Sequence, residues 1–447
     1  MAAGTTSTYV PTADAERIDA LDVARGFALL GILIMNSTGM ALYDSAYFNP
    51  SVDGGNTGAD FGAWLFMVVY AEASMRTLFS LLFGAGIILF LERLEARPTG
   101  LQPVDVHARR MLWLLAFGLV NTFVILYPFD ILQQYAIAGM FLFPFRKLSA
   151  GGLVKVFVLL FAISLTWNTF GYFDTQKTVA EYHALVAERD AGTELNEEQT
   201  EKIEGWEKRL EGWYPDEEKR EEKLELRTDP SLPSLWVKLA GDYVKFYNDT
   251  DFWIYLLDAV MAIVLGMALF RAGIMSGQAS RKTYWLMLIF GYGIGLGLGA
   301  WRAAVLIASN YDFLSLEPHW ILYDTRRIAI GLGHLALIHL VCAYDVLGAL
   351  RRMLAAIGRM ALTNYLTQSV LQVVAFYGVG FALHQQLQRH EVGYIILAIW
   401  LFQAVFSSYW MKHYRFGPME WLWRALTYWQ RPPIRRRPSA QEGPVTE

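Results

Sequence analysis

The chain has 447 residues, 54% of them hydrophobic and 15% aromatic, with 18% charged and a net charge of −4. A soluble domain carries about 25% charge, so this composition excludes an ordinary soluble globular enzyme and points to a membrane protein. The charges are segregated: basic residues sit in short loops and near the C-terminus, and acidic ones gather in one long insertion. The basic residues flank apolar runs, and this argues against nucleic acid as a partner. The lone cysteine, Cys342, lies in an apolar segment and excludes an intrachain disulfide.

About 20 polar residues precede the first apolar run, so that run reads as a retained first helix and not as a cleaved signal. Gly26 to Tyr43 is 18 residues without charge, about the length that crosses a ~30 Å hydrocarbon core as a helix. Asp22 and Arg25 stand at its entrance and Asn36 lies deep within it. Further apolar runs follow at 77–91, 111–129, 131–145, 156–173, 259–270, 283–301, 328–344, 360–383 and 392–411, ten in all. The expected fold is an all-α polytopic membrane bundle of about ten transmembrane helices. Short loops rich in Lys and Arg alternate with loops poor in them. This pattern places both termini in the cytoplasm and the chain in a bacterial inner membrane.

Four regions are expected. Residues 1–170 form an N-terminal membrane bundle of about five helices, and 249–414 a C-terminal one of similar size. Between them, 171–248 carries 19 Asp/Glu against 11 Lys/Arg and reads as an extracytoplasmic helical insertion, a small hairpin over the outer face. Residues 415–447 begin with an interfacial helix rich in Trp and Arg and end in a Pro/Arg-rich tail, expected to be disordered from Arg431.

Polar groups inside the apolar runs are the functional candidates, because such groups are costly in hydrocarbon. Glu72 and Arg76, four apart, are placed to pair on one helix face; Arg76 otherwise lines a cavity as a fixed charge. Asp130 follows a Tyr127-Pro128-Phe129 turn and can cap the next helix, while Asp130 and Gln133 together also suit a hydroxyl-bearing ligand. Gly291, Gly295 and Gly299 form a small-residue stripe that favours close helix packing. His334 and His339, five apart, do not share a face, so no metal site is expected; His334 alone is a candidate general base. Asn364, Gln368 and Gln372 make a polar stripe that either bonds to neighbouring helices or lines a wet cleft.

The Leu21-Asp-x-x-Arg-Gly-Phe-Ala-Leu-Leu-Gly start, Arg76-Thr-Leu-Phe-Ser-Leu-Leu-Phe-Gly84, Asp130-Ile-Leu-x-x-Tyr-Ala-Ile-Ala-Gly139 and Gly358-Arg-Met-Ala-Leu-Thr-Asn-Tyr-Leu-x-Gln-Ser369 occur in order, followed by Gly417-Pro-Met-Glu-Trp-Leu-Trp-Arg424. This set resembles the YeiB-like family of bacterial multi-pass membrane proteins, filed as a domain of unknown function (418). Through the first helix that family is distantly similar to membrane-embedded acyltransferases, both the heparan glucosaminide acetyltransferases and the bacterial glycan O-acyltransferases. The resemblance implies that acyl-CoA docks from the cytoplasm and that the acyl group reaches an acceptor outside. Asn36 falls where the glucosaminide enzymes have Asn and the glycan enzymes a catalytic His.

The leading expectation is therefore an acyltransferase-like membrane protein acting on an envelope glycan or lipid acceptor. Arg25, Arg109, Arg110 and Lys147 would hold CoA phosphates. Asn36 would donate to the oxyanion and His334 would transfer a proton, with Arg76, Asp130, Gln133, Asn364 and Gln368 on the substrate side. The lipid bilayer is the obligate partner, and association with further copies of the chain is left open. Two alternatives stay open: a transporter or permeation pathway lined by Arg76, Asn364 and Gln368, and a non-catalytic scaffold that recruits partners through the insertion.

Overall fold

The computed structural model describes residues 19–96 and 102–436. Helix α1 (Asp19–Ala41) opens the chain. A loop leads to α2 (Gly58–Phe66), which passes through a π-helical turn at Met67–Ala71 into α3 (Ser74–Glu95). Then come α4 (Pro103–Phe123), α5 (Leu132–Leu142) and α6 (Ala150–Asp190). Three helices, α7 (Glu197–Trp213), α8 (Glu217–Thr228) and α9 (Leu232–Asn248), precede the return to the bundle as α10 (Thr250–Arg271). The second half holds α11 (Arg281–Ala308), α12 (Phe313–Ile321), α13 (Tyr323–Ala343) and α14 (Gly348–Arg359). It finishes with α15 (Ala361–Phe376), α16 (Arg389–His413) and α17 (Pro418–Tyr428). Among the described residues there is no strand, only a single antiparallel bridge between Tyr414 and Arg435.

The molecule is an all-α membrane bundle. Seven helical segments among the described residues are long and apolar enough to cross a bilayer: α1, the stretch 58–95, α6, α10, α11, α13 and α16. Each coincides with one of the ten apolar runs. The other three runs became α4, α5 and α15. Helix α5 has 11 residues and α15 has 16, roughly 16 and 24 Å at 1.5 Å per residue. Neither reaches a full span alone, and both are enclosed: α5 packs on α4, α3 and α10, and α15 on α1, α16 and α17. The two halves of the chain interleave, with α3 against α10 and α1 against α13 to α16.

Close crossings explain several glycines. Gly26 of α1 and Gly358 of α14 face each other backbone to backbone, as do Gly84 of α3 and Gly266 of α10. Gly291 and Gly295 of α11 meet α13, and Gly299 meets the π-helical turn at Val69, whereas Gly293 and Gly297 face open space. The small-residue stripe is thus a packing face.

The acidic insertion caps one end of the bundle. Helix α6 passes position 171 without a break, and α7 folds back on it. Helix α8 seats on the bundle through an ion pair from Lys223 to Asp44 and through Arg227, whose carbonyl accepts from Gly378 N at 2.9 Å. Helix α9 buries Leu235, Leu239 and Tyr243, and the Tyr243 hydroxyl donates to Leu126 O at 3.0 Å. At the opposite end the chain is held through Arg436: Arg415 N donates to Ile434 O at 2.8 Å and Trp421 Nε1 to Pro432 O at 2.7 Å. The stretch 431–436, expected to be disordered, is ordered by these bonds, and the rest of the tail lies outside the described residues.

Candidate functional site at a broken helix

The segment 58–95 breaks at one point. The π-helical turn ends at Glu72, whose ψ is 127°, and Ala73 takes a left-handed φ of +59° before α3 begins at Ser74. A broken helix inside a bundle leaves carbonyls that need donors. Arg302 of α11 supplies one, donating to Val68 O at 2.6 Å and to the Glu72 carboxylate at 3.1 Å. Arg326 of α13 makes a second ion pair with Glu72.

The break also corrects the expected Glu72–Arg76 pair. The two residues do not share a continuous helix, so their side chains diverge. Arg76 pairs with Asp258 of α10 and donates to the Tyr323 hydroxyl at 2.8 Å. Arg327 joins Asp258 at 2.5 Å to Asp324 at 2.6 Å, and Ser164 of α6 donates to Asp324 at 2.5 Å. Seven charged side chains from α3, α10, α11, α13 and the break thus form two clusters: Glu72 with Arg302 and Arg326, and Asp258 and Asp324 with Arg76 and Arg327.

Ser74, the first residue of α3, links the break to His334: its N donates to Glu72 O at 2.7 Å. Its Oγ lies 2.7 Å from Tyr70 O and 3.3 Å from His334 Nε2, while His334 Nδ1 lies 2.8 Å from the Tyr292 hydroxyl. One tautomer satisfies every bond of this chain. Ser74 has a single proton and gives it to the carbonyl, so Oγ accepts from Nε2–H. Nδ1 then accepts from the Tyr292 O–H. The imidazole is fully buried, with the rings of Tyr70 and Phe27 at 4.9 and 5.4 Å. Tyr70 also forms part of a cleft of about 660 Å³ between α2 and α11, lined otherwise by apolar side chains including Leu65, Phe66, Leu296 and Ile307.

The remaining candidates lie elsewhere. Asn36 is half-buried and faces the Tyr127 hydroxyl, on the α4–α15 side of the bundle, so it does not converge with His334. Next to it, Ser37 bonds Gln372 at 3.2 Å and Gln372 bonds Tyr127 at 3.1 Å. The amide stripe of α15 bonds to its neighbours: Asn364 to Ser407 at 2.9 Å and Gln368 to Gln403 at 2.9 Å, all four fully buried. Asp130 caps α5 through Gln133 N at 3.0 Å and accepts from Asn121 at 2.9 Å, while the Gln133 amide reaches Thr122 at 2.8 Å.

Arg25, Arg109, Arg110 and Lys147 all sit at the end away from the insertion. Arg25 pairs with Asp22 at 2.7 Å, Arg109 and Lys147 are exposed or nearly so, and Arg110 stacks on Trp423 at 3.8 Å. His339 stacks on Tyr284 at 4.8 Å. Sequence reasoning missed Ser74, Tyr292 and Asp258. Only Asp258, a lone carboxylate at the edge of an apolar run, carried a signal.

Fold and site together define a polytopic helical membrane protein with a buried ionic core. Residues 269–430 match the family model described as "Protein of unknown function (DUF418)". The chain is 28% identical over 430 residues to uncharacterized protein YeiB of Escherichia coli (strain K12), covering 92% of this chain and 96% of that one. It is 27% identical over 440 residues to uncharacterized protein YxaH of Bacillus subtilis (strain 168), covering 96% and 99%. The second half of the chain thus matches the DUF418 model, and the whole chain is similar in length and sequence to the two YeiB-like proteins. No solved structure matches it.

Proposed function

We propose that the protein is a membrane acyltransferase that moves an acyl group from cytoplasmic acyl-CoA to an envelope glycan or lipid acceptor. The observation that carries this reading is the Tyr292–His334–Ser74 hydrogen-bond chain set at a helix break beside an apolar cleft. A neutral imidazole with one nitrogen anchored and the other capped by a phenol can take a proton from an acceptor hydroxyl through that phenol. The reacting centre then lies at His334 and not at Asn36, whose amide faces Tyr127. The Lys/Arg bias of the loops puts both termini in the cytoplasm of a bacterial inner membrane, with the insertion outside. In that orientation Arg25, Arg109, Arg110 and Lys147 stand on the face that CoA phosphates reach.

The broken helix favours a second reading, a pathway for a small solute, since interrupted helices are a recurrent feature of transporters. Purified full-length protein in nanodiscs, given acyl-labelled CoA, separates the two. Release of CoA thiol that is lost in His334→Gln supports transfer. If no thiol is released and the same protein in sealed vesicles passes solute, the transferase reading is wrong.

A further inference from the structure

The apolar cleft between α2 and α11 has one polar end. Its first wall runs past Phe66 to Tyr70, and its second is the stripe Leu296, Ala300, Ala304 and Ile307 of α11. The three- and four-residue steps keep that stripe on one helix face. No lining residue is charged, and Tyr70 alone carries a polar side-chain group. Ala300 and Ala304 are exposed and add only a methyl each, so the α11 wall recedes into a trough. A close contact fixes its shape: a Cβ on Gly299 would lie 2.8 Å from Val69 O, and Arg302 donates to Val68 O at 2.6 Å.

Both walls belong to segments that span the membrane. From Leu296 to Ile307 the trough covers about 16 Å at 1.5 Å per residue, roughly half of a ~30 Å hydrocarbon core. Just beyond α11, Trp213 of α7 donates to Tyr311 O at 2.9 Å, so Ile307 lies at the insertion end and Leu296 halfway along the helix. Tyr70 closes the trough at that halfway level. Its ring centre is 6.4 Å from that of Tyr292 and 4.9 Å from that of His334, and its hydroxyl pairs with that of Tyr292. The trough is thus one leaflet deep, apolar along its length, and ends at a phenol of the Tyr292–His334 chain.

Such a shape suits one hydrocarbon chain with a polar acceptor at its inner end. A lipid of the outer leaflet has the opposite polarity, with its headgroup at Ile307 and a methyl against the phenol. An acyl thioester that enters from the cytoplasm has its carbonyl at the middle and its chain pointing outward. We propose that the trough holds the hydrocarbon tail of a long-chain acyl-CoA, with the thioester carbonyl accepting from the Tyr70 hydroxyl. This rests on the acyl-transfer reading and narrows its donor to a fatty acyl group. The reaction is otherwise unchanged: the acceptor oxygen replaces sulfur at the acyl carbon, and the hydroxyl proton ends on the CoA thiolate.

The test photolabels full-length protein in nanodiscs with a palmitoyl-CoA analogue that carries a diazirine at the end of its chain. Mass spectrometry should find the label within 58–66 and 303–308. Unlabelled palmitoyl-CoA should compete at least about tenfold better than acetyl-CoA, because each buried methylene adds to affinity. Ala304→Trp, which sets an indole in the trough from an exposed position, should cut labelling about tenfold or more; Ala300→Trp serves if that variant misfolds. The inference is overturned if label spreads evenly over lipid-facing helices, or if the folded tryptophan variant labels as wild type does. It is equally overturned if phosphatidylglycerol with the same diazirine tail labels the trough and the acyl-CoA does not. Labelling without thiol release would remove acyl transfer and leave the trough. Thiol release at equal rates from acetyl- and palmitoyl-CoA, with no label in the trough, would remove the trough and leave acyl transfer.

Discussion

Gly26 of α1 and Gly358 of α14 pass so closely that a Cβ on Gly358 would lie 1.9 Å from the Asp22 carbonyl oxygen, and one on Gly26 would lie 2.0 Å from that of Leu354. The obstruction on each side is helix backbone, which cannot rotate away. Gly26→Ala and Gly358→Ala are each expected to lower stability by about 1–3 kcal/mol through overpacking. Gly293→Ala, which meets nothing within 4 Å, is the control and should leave the thermal midpoint unchanged or slightly raised. Equal midpoints for all three variants would contradict the crossing.

If His334 moves the proton in the proposed reaction, His334→Gln lowers turnover by about 10²- to 10⁴-fold. Tyr292→Phe, which leaves Nδ1 without its donor, lowers it less, by roughly tenfold, and changes the pH profile of turnover. Asn36→Leu leaves turnover near wild type. Steady-state assays of the three variants in nanodiscs check the order; a dead Asn36→Leu beside an active His334→Gln would return the centre to the first helix.

The amide stripe of α15 gives a separate test. Asn364→Leu removes the partner of Ser407, and Gln368→Leu that of Gln403. Each is expected to destabilise the bundle by about 0.5–2 kcal/mol, the range of interhelical hydrogen bonds in membranes. Rates at a temperature where both variants are folded should match wild type. Loss of a solute flux at full stability would instead mark these amides as a pathway.

His384, in the loop between α15 and α16, couples the fold to pH. Burial beneath the insertion, with Arg227 and Lys223 beside it, holds its imidazole down at about 3, while Nδ1 bonds Met40 O at 2.8 Å. The unfolded chain therefore takes up a proton below about pH 6.5 that the folded one refuses. Stability falls as pH drops from 6.5 toward 3, by up to ~1.4 kcal/mol per pH unit from this group. His384→Asn, which cannot titrate, should show a shallower loss between pH 7.5 and 5 in thermal unfolding. Parallel curves for the two proteins would refute the coupling.

The architecture was legible because hydrocarbon imposes length: each of the ten apolar runs became a helix of the bundle. The lengths of α5 and α15 were not, since enclosure by neighbours lets a short helix stand where a lone one needs about 20 residues. The stripe of Asn364, Gln368 and Gln372 was visible as a pattern, but its partners Ser407, Gln403 and Tyr127 are tertiary facts. The ionic core was least visible. Glu72 and Arg302 stand 230 residues apart, and the π-helical turn that frees Val68 O leaves no mark in composition. Reading Glu72 and Arg76 as a local pair followed from assuming an unbroken helix. Ser74 looked like any serine until the break placed it against His334.

One consequence attaches to α6. Its 41 residues run unbroken from the membrane into the insertion, about 60 Å at 1.5 Å per residue. It touches the ionic layer through Ser164, which donates to Asp324. A stiff beam of that length turns small rotations into large strokes: a 5° tilt moves its far end by about 5 Å. Asp324 and the acidic cap thus stand along one rigid rod, and a tilt of that rod at Ser164 would carry the cap with it.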